Sequence, residues 1–225
     1  MVEIKSYYID ALKAGIVIIV GLLLINYFID QKRITKLNEE FLDYSWQMQD
    51  SKLFLLFSQF IEKDDMNSYC SILEQRLGQI IDRNSKFLTK IQEYEKVNVL
   101  SDDYQKLKKS FSLGHLELFF YYVDFKEKCR SDVHYILYFY PEGSECMNDC
   151  KVQANVLDNV RDSCNDVFIF ALPSNSDIDI IKLMNTKYNI TRTPSIIIDG
   201  TKKFEGITDK ETLMKEVNCK IKRKI

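Results

Sequence analysis

The spacing of apolar residues divides the chain into three regions. Ala14 to Ile25 carries no polar side chain, and the 19 residues from Ala11 to Ile29 are interrupted only by Lys13 and Asn26. A membrane-spanning helix takes about 20 predominantly apolar residues. Lys13 sits near the end of the run, where its stem reaches toward the interface, and Tyr7, Tyr8, Tyr27 and Phe28 flank it as interfacial aromatics do. No small-x-small cleavage site follows. The pattern predicts an uncleaved single-pass anchor over about 12–29, within an N-terminal segment 1–30.

From Asp30 to Arg130 there is no proline, and Gly78 and Gly114 are the only glycines. Apolar residues recur at three- and four-residue steps. Ile34, Leu37, Phe41, Tyr44 and Met48 make one stripe; Leu73, Leu77, Ile80, Phe87, Ile91 and Tyr94 a second; Tyr104, Leu107, Phe111, Leu118, Tyr122 and Phe125 a third. Breaks fall at Glu62–Asp65 and Asn98–Asp102, each with Asp or Ser able to open a new helix. Residues 31–130 are thus predicted to be a helical domain or stalk of about three helices. Aromatics at helical spacing are read as core, and the region offers a surface on which a protein partner could dock.

After Arg130 the period changes. His134–Tyr140 reads as a strand ended by Pro141-Glu142-Gly143-Ser144, and Cys146-Met147-Asn148-Asp149-Cys150 opens a helix to Val160, with Val152, Val156, Leu157 and Val160 as its apolar set. Val167–Leu172 is a second strand stopping at Pro173, and Ile178–Tyr188 a second helix. Ser195–Gly200 and Lys203–Gly206 read as a tight hairpin, and a last helix runs from Asp209 to about Lys222, capped by Thr208 or Asp209. Residues 131–225 are predicted to form an α/β domain in the order β-α-β-α-β-β-α.

Composition narrows the chemistry. Formal net charge is -2, so the basic excess of a nucleic-acid binder is absent. Neither GxGxxG nor GxxxxGK[ST] occurs, which removes glycine-rich phosphate loops, and no cofactor is expected. The chain holds only 7 glycines and 3 prolines, and all three prolines lie after Arg130. His115 has no Cys or acid partner at metal-ligand spacing, and His134 opens a strand and reads as structural.

The strand-helix order, a cysteine pair just after the first strand and Thr193-Pro194 before the third together resemble the thioredoxin superfamily over about 133–222. Thr193-Pro194-Ser195-Ile196-Ile197-Ile198-Asp199-Gly200 is most similar to the cis-proline strand of thioredoxins and periplasmic disulfide oxidoreductases. The resemblance implies a central mixed sheet, first two strands parallel and the third antiparallel, with Pro141, Pro173 and Pro194 on one edge. It implies Cys146 and Cys150 as the redox pair and Pro194 as the cis-proline, shaping a substrate groove with Thr193. Cys146, at the positive end of its helix, is the expected nucleophile and Cys150 the resolving thiol. The pair is CxxxC where the family motif is CxxC, yet positions i and i+4 share a helix face within disulfide reach. Glu142, Glu145 and Asp149 surround it and oppose the helix dipole. Such a CxxxC domain also resembles copper chaperones of oxidase assembly, whose third ligand is a downstream histidine. None follows His134, and no metal is expected.

Cys129 and Cys164, ahead of the two parallel strands, are candidates for a structural disulfide or are separate buried thiols; Cys70 and Cys219 read as packing residues. Asn189-Ile190-Thr191 is a glycosylation-type triplet that counts only on an outward-facing domain. Lys5 and Lys13 before the span nearly balance Lys32, Arg33 and Lys36 after it, so charge does not fix orientation; the use of a tether to hold a redox domain outside the cytosol points outward. The expected function is a membrane-anchored thiol-disulfide oxidoreductase acting on the thiols or disulfides of proteins. The rival is a non-catalytic thioredoxin-like binding module whose helical segment docks a partner.

Overall fold

The computed structural model describes residues 2–98, 102–129, 131–143 and 146–222. Ser101, Arg130 and Glu145 lie outside the described residues, as do the side chains of Tyr7, Tyr8, Ile34, Leu37, Phe41 and Tyr94. The chain forms two compact units, Met1–Leu53 and Phe54–Ile225.

The first unit belongs to a single helix, α1 (Val2–Phe57). Anchor and first predicted stalk helix are continuous because no glycine or proline stands between Leu22 and Phe57. None of Leu12–Ile29 is buried, and it is long and apolar enough to cross a membrane. Its 18 residues rise about 27 Å as a helix, close to the thickness of the hydrocarbon layer.

In the second unit α1 ends in a 3-10 turn, Ser58–Phe60, and Ile61 takes an extended backbone. A second 3-10 turn, Lys63–Asp65, leads into α2 (Met66–Asn98), and α3 (Asp102–Lys128) returns beside it. Then come β1 (His134–Tyr140), α4 (Met147–Ser163), β2 (Val167–Pro173), α5 (Asp179–Lys187), β3 (Ser195–Ile198), β4 (Lys202–Glu205) and α6 (Lys210–Glu216). The α/β class and element order follow the sequence pattern. Asp209 is the cap of α6, its carboxylate accepting from the Thr212 N–H at 2.9 Å. The last helix stops well short of Lys222: Asn218 turns left-handed (φ 45°), and the segment beyond it hydrogen-bonds to residues 163 and 165 instead.

The four strands form one mixed sheet in the order β2-β1-β3-β4, with β1 and β2 parallel and the other pairs antiparallel. Between β3 and β4 the chain reverses through Asp199 and Gly200, both with positive φ, and the Thr201 N–H bonds the Ile198 carbonyl at 3.1 Å. At Gly200 the φ of 69° strains any side chain, and a Cβ would stand 2.9 Å from the Tyr135 hydroxyl oxygen, so glycine is favoured.

β1 is buried on both faces, and its period-2 alternation divides two cores. Tyr135, Leu137 and Phe139 join Phe170 of β2, Ile181 and Met184 of α5, and a row from the helical hairpin: Tyr69, Leu73, Leu77, Ile80, Leu116, Phe119 and Tyr122. Ile136 and Tyr138 face the other way, with Leu157 and Val160 of α4 and Leu213 of α6. The α2–α3 hairpin, expected to end as a separate region at residue 130, therefore shares the core of the sheet, and the boundary between compact units falls at Leu53–Phe54. Among the described side chains, the stripes of α2 and α3 read as core are largely buried; Trp46 is exposed. Register between α2 and α3 is fixed by a buried Arg83–Glu117 ion pair at 2.6 Å and by Asn84 Nδ2 donating to the Gly114 carbonyl at 3.0 Å.

His115 of α3 lies against Phe111 and Phe170, with ring centroids 5.9 and 5.3 Å away. Burial lowers its imidazole from 6.5 to about 4. The unfolded chain takes up this proton near pH 6.5 and the folded chain only near pH 4, so the stabilisation is full above that window and lost as pH falls through it. The shift corresponds to about 3 kcal/mol. Denaturant unfolding is expected to show a steeper decline between pH 6.5 and 4 for the native chain than for His115→Leu. Equal slopes would contradict this assignment.

Candidate functional site

Strand direction gathers the candidate residues at one end of the sheet. Tyr140 pairs with Pro173, and Phe139 with Ser195, so the ends of β1 and β2 and the start of β3 share an edge. Pro141 follows the first, Pro173 closes the second and Pro194 opens the third. The Thr193–Pro194 peptide is cis, Pro194 is buried and Thr193 half-buried.

Cys146 is the N-cap residue of α4, and its carbonyl accepts from the Cys150 N–H at 2.9 Å. Their sulfurs are bonded, with Cα atoms 5.4 Å apart, so the CxxxC spacing closes within one helical turn. Both residues are partly exposed. The Tyr138 hydroxyl donates to the Cys150 carbonyl at 2.7 Å and anchors that turn to β1. Burial pushes the Tyr138 phenol up to about 12, with the neighbouring Tyr140 adding to the rise, so it stays a donor at neutral pH. Asp149 is exposed, whereas Glu142 pairs with Lys108 of α3 at 3.1 Å. Asn175 receives the Glu142 N–H at 2.8 Å and donates to the Glu142 carbonyl at 3.0 Å, fastening the loops after β1 and β2 to each other.

One participant is absent from the sequence reading. Gln153, fully buried on α4 one turn beyond Cys150, accepts the Thr208 N–H at 2.6 Å. Gly206, two residues earlier, donates its N–H to the Pro194 carbonyl at 2.8 Å. The loop before α6 thus ties the proline-bearing strand to the cysteine-bearing helix. The available signal was a polar residue on the face shared by Cys150, Leu157 and Val160. Val152, placed on that face from sequence, is instead 46% exposed.

Cys129 and Cys164, candidates for a shared disulfide or for separate buried thiols, are neither: each bonds a different cysteine. Cys129 follows α3 and meets Cys70 at the start of its antiparallel neighbour α2, with Cα atoms 5.6 Å apart. Cys164 meets Cys219 in the C-terminal segment, 5.3 Å apart. The two cysteines assigned to packing are therefore the partners, since antiparallel helices and the returning chain end bring them close.

At the opposite end of the sheet, Lys126, Asp132, His134, Asp166, Asn218 and Lys220 line a cleft of about 380 Å³. Its basic side chains have partners within the fold. Lys126 Nζ and His134 Nδ1 lie 2.9 and 2.6 Å from the Asp199 carboxylate, and Lys220 Nζ lies 3.0 Å from Asp132. His134 thus takes a structural place, tying the start of β1 to the β3–β4 turn. Among the described residues no group of three His, Cys, Asp or Glu side chains is placed to hold a metal ion.

No protein-family model and no curated protein matches the chain. A solved structure titled "Structure of a malarial protein" is similar at 14% identity and a TM-score of 0.31, over 38% of this chain and 94% of that one.

Peptide mapping without reduction is expected to recover linked Cys70–Cys129 and Cys164–Cys219 peptides. Replacing Cys164 and Cys219 together by Ala is expected to lower unfolding stability by about 2–5 kcal/mol. A linked Cys129–Cys164 peptide would overturn the pairing.

Proposed function

We propose that the protein is a membrane-anchored thiol-disulfide oxidoreductase with a thioredoxin-like domain, acting on protein cysteines. The carrying observation is the Cys146–Cys150 pair in the first turn of α4, at the sheet edge where Pro194 opens β3. The sheet order β2-β1-β3-β4, with its single parallel pair, supports the reading, since the thioredoxin resemblance implies those strand directions.

In the reductive direction the Cys146 thiolate attacks one sulfur of a substrate disulfide, forming a mixed disulfide and releasing the other sulfur as thiolate. The Cys150 thiolate then attacks Cys146 Sγ, releasing the second substrate thiolate and closing the Cys146–Cys150 bond. Run backwards, the same exchange oxidises a substrate dithiol. The helix N-terminus favours the Cys146 thiolate, and the Lys108 ion pair offsets the Glu142 carboxylate. Tyr138 and Gln153 hold the turn and its helix while the bond opens and closes.

Placement outside the cytosol is part of the proposal. All six cysteines are paired in three bonds, the pattern of an oxidising compartment, and α1 supplies a single span to hold the domain there. The i, i+4 spacing also suits a second reading, in which this bond is structural and the domain is a docking module.

Detergent-solubilised full chain is expected to catalyse insulin-disulfide reduction or thiol exchange, and Cys146→Ser to lose it to background. Cys150→Ser is expected to accumulate reductant-sensitive adducts with protein partners. Inactivity of the native chain under both reducing and oxidising coupling, with no adducts, would favour the docking module.

A further inference from the structure

We propose that Asn189 is a site of asparagine-linked glycosylation. Asn189-Ile190-Thr191 is the one Asn-x-Ser/Thr triplet in the chain. It lies where α5 gives way to the segment leading to Thr193. The Asn189 N–H closes on the Thr186 carbonyl at 3.1 Å and the Ile190 N–H on the Asn185 carbonyl at 2.8 Å, with Asn189 in the left-handed region at φ 50°. Ile190 packs against the core beneath α5 and pins the middle of the triplet, while Asn189 and Thr191 on either side are exposed. The Asn189 carbonyl accepts from Lys203, and among the described residues no hydrogen bond occupies its side-chain amide. A tight surface turn, an unengaged acceptor amide and an exposed threonine two residues on are what the transfer reaction needs.

In that reaction Asn189 Nδ2 attacks the anomeric carbon of an oligosaccharide carried on a polyprenyl diphosphate. A carbon–nitrogen bond forms, the carbon–oxygen bond to diphosphate breaks and its electron pair leaves with the lipid diphosphate. The amide gives up one proton. The inference rests on the extracytoplasmic placement proposed above and is independent of the redox chemistry. Left-handed turns also favour asparagine for backbone reasons alone, and the threonine variants below separate the two roles.

The test uses the full chain, with a C-terminal tag carrying its own Asn-x-Thr triplet, in cells that perform asparagine-linked glycosylation. Expected are two glycan steps in mobility for the native chain, one for Asn189→Gln and for Thr191→Ala, and two again for Thr191→Ser. All steps should vanish on peptide N-glycosidase treatment. A single step in every variant would mean that the tag alone is modified, overturning the site while keeping the placement. No step in any variant would overturn both the site and the placement.

Discussion

Burial of the two faces of β1 is the constraint on which the rest of the second unit depends. A strand in mid-sheet cannot leave either face in water when its residues are Tyr-Ile-Leu-Tyr-Phe, and each face requires a cover. One is supplied by α4 and α6, within the domain expected from sequence. The other comes from α2, α3 and α5, so the hairpin that precedes the sheet in sequence is a layer of it in space. The hairpin holds its own register through Arg83–Glu117 and the Cys70–Cys129 bond, and it reaches the loops of the candidate site through Lys108 and Lys109, the latter pairing with Asp177 at 2.7 Å.

That layering accounts for the form of the site. Parallel β1 and β2 end together, β3 starts beside them, and the loops at that edge are fastened by Asn175, Tyr138 and Gln153. A disulfide in the first turn of a helix is held in place where that turn is anchored, since helix ends fray when their backbone groups lack partners. The Tyr138 hydroxyl on the Cys150 carbonyl supplies one such anchor. At the other edge, Asp199 gathers Lys126, His134 and the Tyr135 N–H, and the Cys164–Cys219 bond secures the chain end.

Local order was legible where one period dominated. The three- and four-residue steps of 66–128 and the two-residue alternation of 134–140 each specify an element and its buried face. Asp199-Gly200 specifies a turn, and the three prolines mark the ends and start of strands. What could not be read were pairings between distant segments. Cys129 stands next to a strand in sequence, but the antiparallel return of α3 along α2 brings Cys70 to it. Residues 218–222 carry a helical pattern, yet a disulfide and backbone bonds to 163 and 165 draw them off the helix. Gln153 looks like a flaw in an apolar stripe until the loop at Thr208 is placed against it. The hairpin's stripes announced a core without naming its other half, which is the sheet.

The shared core is tested most directly by native-state hydrogen exchange on Leu73→Ala. Leu73 is fully buried in the hairpin and belongs to the same cluster as Leu137 and Phe139. Its truncation should cost about 2–5 kcal/mol. If hairpin and sheet unfold as one unit, the β1 amides of Leu137 and Phe139 lose protection by the same amount as those of α2. Loss confined to α2 and α3, with β1 unchanged, would contradict the account.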